Sequence, residues 1–236
     1  MSKSILIPSI EQRLRGLMEV GRRNVHEHGF VDVERGKPTV TITREFGCEG
    51  YPVAEKLQAL LESRSGKPWL VMDRALLDAV AKDHNLNQEI LENLGTKSRF
   101  LDDMLSTFSP HWKSDKDYYR LLCRQIVALA TEGNVILVGR GASILTQNTG
   151  NCYHFRIVAP MSYKVKSVAA RCGISADEAQ DMVRDKQRQR DAFLKDFLGR
   201  DITDATLYHL IFNNNRFTAT QIAALMADVV LPPAGR

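Results

Sequence analysis

The segment that most constrains this chain is Thr39-Val40-Thr41-Ile42-Thr43, a run of β-branched residues that follows Pro38 and leads through a short glycine-containing turn into a helical pattern. β-Branched side chains are stiff at χ1 and favour extended backbone. Val53, Ala54, Leu57, Leu60 and Leu61 then recur at helical spacing, so the stretch reads strand, turn, helix. The alternation continues. Trp69-Leu70-Val71-Met72 is a second short apolar run, followed by helical material holding Leu76, Leu77 and Val80, then Ile90, Leu91 and Leu94. Residues 96–117 show no clean period. Residues 118–131 form a helix with Leu122, Ile126, Leu129 and Ala130 on one face, feeding Val135-Ile136-Leu137-Val138, the clearest buried strand in the chain. Residues 153–158 predict another strand and 161–171 a helix. Ser175 with Glu178 makes a capping box for a long polar helix ending near Gly199, residues 207–212 predict the last strand, and Thr218 with Gln221 caps a final helix carrying Ile222, Leu225 and Met226. Five strands separated by helices predict an α/β fold, a five-stranded parallel sheet with helices on both faces and ligands beyond the carboxyl ends of the strands.

Ahead of this pattern lies an amphipathic helix. Ser9 and Gln12 give its capping box, Leu14, Leu17, Met18, Gly21 and Val25 its face, and Gly29 its stop. We therefore divide the 236 residues into an N-terminal helix and linker over 1–37, one domain over 38–231 and a tail over 232–236. The helix must bury its apolar face on its own domain or on a second subunit, which would make a homodimer. Hydrophobic residues at 44% and charged residues at 25% match a globular chain and exclude disorder. No apolar run nears the ~18 residues of a membrane span, and the N-terminus lacks a signal-peptide pattern, so a cytoplasmic protein without membrane contact is expected. Cys48, Cys123, Cys152 and Cys172 make no Cys-x-x-Cys pair and the six histidines no spaced cluster, so reduced thiols and no metal ligands are expected. A net charge of +4 suits an anionic ligand. Nucleic acid is not called for, because no stacking aromatics interleave with the basic residues.

The strongest local signal is Arg44-Glu45-Phe46-Gly47-Cys48-Glu49-Gly50-Tyr51, between the first strand and its helix. A glycine turn at a helix N-terminus offers backbone N–H groups and a positive dipole end, hence an anion site with phosphate as its natural guest. The plainer alternative is a turn that needs glycine for its backbone alone. No Lys-Ser or Lys-Thr follows the glycine as in the common phosphate loop. Cys48, near a helix N-terminus, is either a thiol of lowered pKa or a small loop residue. Arg140 lies between two glycines at the end of a buried strand, where open sheets bind ligands. Asp73 precedes Arg74 after the second strand and could simply cap the next helix. Arg184, Asp185, Lys186, Arg188 and Arg190 share one helix, and such a mixed run by itself reads as a solvated face.

In this order, Ile42-Thr43-Arg44-Glu45-Phe46-Gly47, Asp73-Arg74, Val138-Gly139-Arg140-Gly141-Ala142 and Asp185-Lys186-Gln187-Arg188 resemble the cytidylate kinase-like family, related to the P-loop nucleoside monophosphate kinases. The resemblance covers about residues 38–231. It implies a kinase that transfers the γ-phosphoryl group of ATP, with Mg²⁺, to a nucleoside monophosphate such as CMP or dCMP. Residues 44–51 would hold the donor phosphates. Asp73, Arg74, Arg184, Lys186 and Arg190 would bind the acceptor nucleotide, while Arg140, Arg188 and Asp185 would act at the transferring group. The chain departs from the pattern at the loop. Gly50 stands where the lysine is expected, Pro52 where the magnesium-binding hydroxyl is expected, and Glu49 where glycine is usual. These departures define the alternative, a nucleotide-binding or regulatory protein that keeps the fold without the reaction.

Overall fold

The protein is described here by a computed structural model covering residues 37–73 and 115–233. The N-terminal helix, the helical stretch at 76–94, Arg74, most of the unpatterned segment and residues 234–236 lie outside the described residues. The elements are β1 (Thr39–Arg44), α1 (Gly50–Ser65), β2 (Leu70–Asp73), α2 (Asp115–Glu132), β3 (Val135–Val138), α3 (Ala142–Leu145), β4 (Cys152–Val158), α4 (Met161–Cys172), α5 (Ala176–Leu198), β5 (Leu210–Asn213) and α6 (Ala219–Val230). The strands form one parallel sheet in the order β2-β3-β1-β4-β5. β1 is central, and the chain leaves it toward β2 on one side while later strands extend the sheet on the other. Such a reversal of strand order opens a crevice at the carboxyl ends of the strands.

The alternation within β1 explains its burial on both faces. Val40 and Ile42 join Val53, Leu57 and Leu61 of α1 and Ile222, Ala223 and Met226 of α6 in one core layer. On the opposite face Leu122, Ile126 and Leu129 of α2 pack with Leu70, Met72, Val135 and Leu137. Thr39, Thr41 and Thr43 are buried as well, and a buried hydroxyl needs a partner. Thr39 Oγ1 donates to the Ala130 carbonyl at 2.8 Å, Thr41 Oγ1 bonds His154 Nδ1 at 2.8 Å, and Thr43 Oγ1 bonds Ser143 Oγ at 2.9 Å. A third cluster, Val168, Ala179 and Val183 with Phe46, joins α4 and α5 and seats that pair over the β1 turn.

Of the three expected capping boxes, Ser175 with Glu178 and Thr218 with Gln221 form, and Ser9 with Gln12 lies outside the described residues. Two details differ from the sequence pattern. Residues Ala205–Leu207 form a 3₁₀ turn, because Asp204 caps it by accepting the Thr206 N–H, and β5 begins only at Leu210. The short α3, begun by glycine turns rather than an apolar period, gives no pattern signal.

His154 supplies a pH test. Burial, with His209 adding to it, pushes its pKa from 6.5 down to about 4, so the native state holds it neutral. Its contribution is intact above 6.5 and is lost as the pH falls toward 4, about 3 kcal/mol in all. Urea unfolding across that range should show wild-type stability falling more steeply than that of His154→Asn. Parallel curves would contradict the assignment.

Candidate functional site

The turn after β1 is fastened from three directions. The Glu45 N–H donates to the Ile157 carbonyl at 3.0 Å, and its carboxylate accepts from Lys164 Nζ at 2.8 Å and from the Ala159 N–H at 3.3 Å, with Arg156 Nη2 at 3.8 Å. The Phe46 N–H donates to Gln187 Oε1 on α5 at 2.8 Å, and the Glu49 N–H donates to Asn214 Oδ1, beyond β5, at 2.8 Å. Gly47 has φ +96°, and a Cβ there would come 2.8 Å from Lys164 Cβ, so close packing on α4 demands glycine. Cys48 is buried, and burial together with Glu45 pushes its thiol up to about 12, the direction opposite to that of an activated thiolate.

α5 crosses above the sheet with Ala179, Val183, Gln187, Arg190 and Leu194 on its inward face. The apolar members at the two ends anchor the helix, and the polar members between them reach the turn. Arg190 Nη1 donates to the Arg44 carbonyl at 3.3 Å, and its guanidinium lies 5.1 Å from the centre of the Phe46 ring. Gln187 Nε2 also donates to Asp191 Oδ1 at 2.8 Å.

Under α5 opens a cavity of about 530 Å³, lined by Arg44 from β1, Gly139, Arg140 and Gly141 after β3, Arg156 from β4, and Lys186, Arg190, Asp191 and Phe193 from α5. Gly139, Arg140 and Gly141 have φ of +87°, +53° and +73°. Left-handed backbone is unusual for arginine and costs about 1 kcal/mol, the kind of strain that collects at functional sites. The Arg140 guanidinium lies 5.5 Å from the centre of the Phe193 ring. A second groove on the far flank of α5 is lined by Lys164, Arg184, Arg188, Lys195 and Arg200. Both suit an anion of several charges, because arginine forks bind phosphate oxygens bidentately.

The structure thus brings together Arg44, Phe46, Arg140, Lys186 and Arg190. Asp73 ends β2 in register with Val138, one residue before Gly139. Asp185 and Arg188 pair with each other at 3.3 Å on the outer side of α5, largely exposed, and Arg184 lies with Arg188 at the second groove. Sequence reasoning missed Arg156, Lys164, Gln187 and Asn214. Only Arg156 carried a signal, a charged residue between Phe155 and Ile157 in an apolar strand. It is 5% exposed, and it donates to the Ile202 carbonyl.

Comparison with known proteins bears on what this cation-lined crevice is. The model of the cytidylate kinase-like family matches residues 39–216, three quarters of the chain. The chain belongs to the cytidylate kinase-like family. Among curated proteins it is similar to the cytidylate kinase of Pyrococcus horikoshii, 27% identical over 133 residues, 56% of this chain and 68% of that protein. It is also similar to the cytidylate kinase of Methanopyrus kandleri, 25% identical over 138 residues, 54% of this chain and 70% of that one. A solved structure of an uncharacterized protein from Eubacterium ventriosum superposes with a TM-score of 0.61 at 22% identity, covering 82% of this chain and 98% of that one, and shares the fold. Among the described residues no helix is long and apolar enough to cross a membrane.

For this member of the family, Glu45 is the fastening on which the turn depends. Glu45→Gln removes the charge that compensates Lys164 and Arg156, both mostly buried. Breaking such a pair from one side typically costs about 3 kcal/mol. Urea unfolding should show a loss of that order, and an unchanged midpoint would contradict the fastening role.

Proposed function

We propose that the chain is a nucleotide kinase that moves the γ-phosphoryl group of ATP to a nucleoside monophosphate, with CMP or dCMP as the acceptor its family suggests. The observation that carries this reading is the gathering of Arg44, Arg140, Arg156, Lys186 and Arg190 around one cavity at the carboxyl ends of β1, β3 and β4. Phosphoryl transfer asks a protein chiefly to position two phosphates in line and to neutralise the charge spread over the transferring group. Five cations facing one cavity supply that neutralisation without a covalent intermediate.

In this reading residues 38–231 form the kinase domain and 1–37 an added arm. Arg44 and the turn over residues 45–51 meet the donor phosphates. Arg140 clamps the acceptor phosphate against the transferring group, with Arg156 beside it. Asp73 orients the acceptor from the end of β2, Arg74 follows it, and Lys186 and Arg190 hold the acceptor from α5. Arg184, Arg188 and Asp185 belong to the second groove and its rim, where Arg188 would act on a further phosphate. Mg²⁺ binds through substrate phosphates and one or two carboxylates rather than through an all-protein cage, so it would enter on ATP and neutralise charge there. Among the described residues no group of three His, Cys, Asp or Glu gathers that could hold a metal ion. A cytoplasmic setting goes with this reading.

A second reading, nucleotide binding without turnover, is favoured by specific contacts of the turn. Four of its amides already donate within the protein, that of Glu45 to the Ile157 carbonyl, Phe46 to Gln187, Cys48 to the Glu45 carbonyl and Glu49 to Asn214, and the Glu49 carboxylate would face the donor phosphates. Like charges ~4 Å apart repel by about 1 kcal/mol in water and by several in a shielded site.

The test is ADP formation from ATP and Mg²⁺ with CMP, dCMP, UMP, AMP or GMP, against a control without acceptor. The proposal expects acceptor-dependent ADP and a fall in kcat/KM of about a hundredfold in Arg140→Ala. Saturable nucleotide binding with no acceptor-dependent ADP would favour the second reading. Full activity in Arg140→Ala would overturn the site.

A further inference from the structure

Gly50 is the first residue of α1 and has no left-handed backbone, so its own conformation does not call for glycine. Its surroundings do. A Cβ at Gly50 would lie 2.9 Å from Arg44 Cγ, 3.0 Å from Cδ and 3.4 Å from Nε, with the closest contacts in the middle of the arginine stem rather than at its free end. A Cβ on Gly139, across the crevice, would overlap Arg44 Nη1. The side chain therefore leaves the end of β1, fills the volume a side chain on Gly50 would need, and brings its guanidinium against the end of β3 at the wall of the cation-lined cavity.

In a phosphate loop with lysine at the position of Gly50, the lysine stem leaves the first turn of the helix and its ammonium reaches the terminal phosphates of the donor. Both stems cannot occupy this space. We propose that Arg44 is the donor-phosphate cation of this protein, delivered from β1 instead of α1, and that Gly50 and Gly139 are positioning residues kept side-chain-free so that it can cross the crevice. The substitution is reciprocal. The loop lacks its lysine because the arginine stem fills its place, and the charge moves toward Arg140, on the side of the transferring group. An arginine so placed offers a bidentate fork where lysine offers a point charge. This inference rests on the nucleotide-binding reading above.

A double-mutant cycle tests it, with ATP·Mg²⁺ and inorganic pyrophosphate as calorimetric ligands and urea unfolding as a second readout. Arg44→Met keeps much of the stem and removes the charge, whereas Arg44→Ala removes both. Each should weaken ATP binding about tenfold or more, the scale of a charged hydrogen bond. Gly50→Ala should weaken ATP binding comparably in the wild-type background, by pushing Arg44 aside, and by less than twofold in the Arg44→Ala background. In urea, Gly50→Ala should destabilise wild type and Arg44→Met but not Arg44→Ala, where alanine has room in the helix. Equal effects of Gly50→Ala in both backgrounds, or wild-type affinity in Arg44→Met, would overturn the inference and leave the nucleotide reading intact. Failure of wild type to bind ATP would overturn that reading, and the inference with it.

Discussion

The carboxylate of Glu45 is the joint on which the geometry of the site depends. It takes Lys164 from α4, Arg156 from β4 and the Ala159 N–H from the segment between them, while its own N–H is held by Ile157. One side chain thus ties the turn after β1 to its neighbouring strand and to the helix that follows that strand. A carboxylate taken from water and surrounded by donors is costly to disturb, because each partner would be left charged and poorly solvated. The close approach of Gly47 to Lys164 follows from this fastening.

What the fastening supports is a crowd of like charges. Arg44, Arg140, Arg156, Lys186 and Arg190 face one cavity, and among the described lining residues Asp191 is the carboxylate, itself engaged by Gln187. Cations gathered in this way repel one another to the extent that they are not paired, and an anion entering among them would relieve that repulsion. Some repulsion is met locally. Arg190 and Arg140 lie over Phe46 and Phe193, and Arg156 lies over Tyr208 and donates to a backbone carbonyl. The left-handed Arg140 backbone is the other cost visible at the site.

The fold was legible because its signals are local. β1, β3 and the capping boxes of α5 and α6 declare themselves through β-branched runs, an apolar tetrad and side chains three residues apart, and the structure has these where the sequence indicated. The ordered motifs led to the family for the same reason. The site was less legible because it is built from contacts between residues far apart in the chain. Gln187 reads as one more polar residue on a charged helix until α5 is laid over the turn, and Asn214 reads as a loop residue until it meets the Glu49 N–H. The run from Arg184 to Arg190 divides between two sides of α5, a distinction that the composition of a helix does not carry. The glycines of the turn resemble a phosphate cradle in sequence, yet Gly47 packs against α4 and Gly50 against the Arg44 stem.

In the proposed function the cations under α5, rather than the turn alone, hold the phosphates. A crystal structure with CMP and ADP·Mg²⁺ bound tests it most directly. Phosphate oxygens should then lie within hydrogen-bond distance of the guanidinium groups of Arg44 and Arg140, with the Arg44 side chain still between Gly50 and Gly139. Phosphates held by the amides of the turn with both arginines turned away, or nucleotides bound outside the crevice, would contradict it.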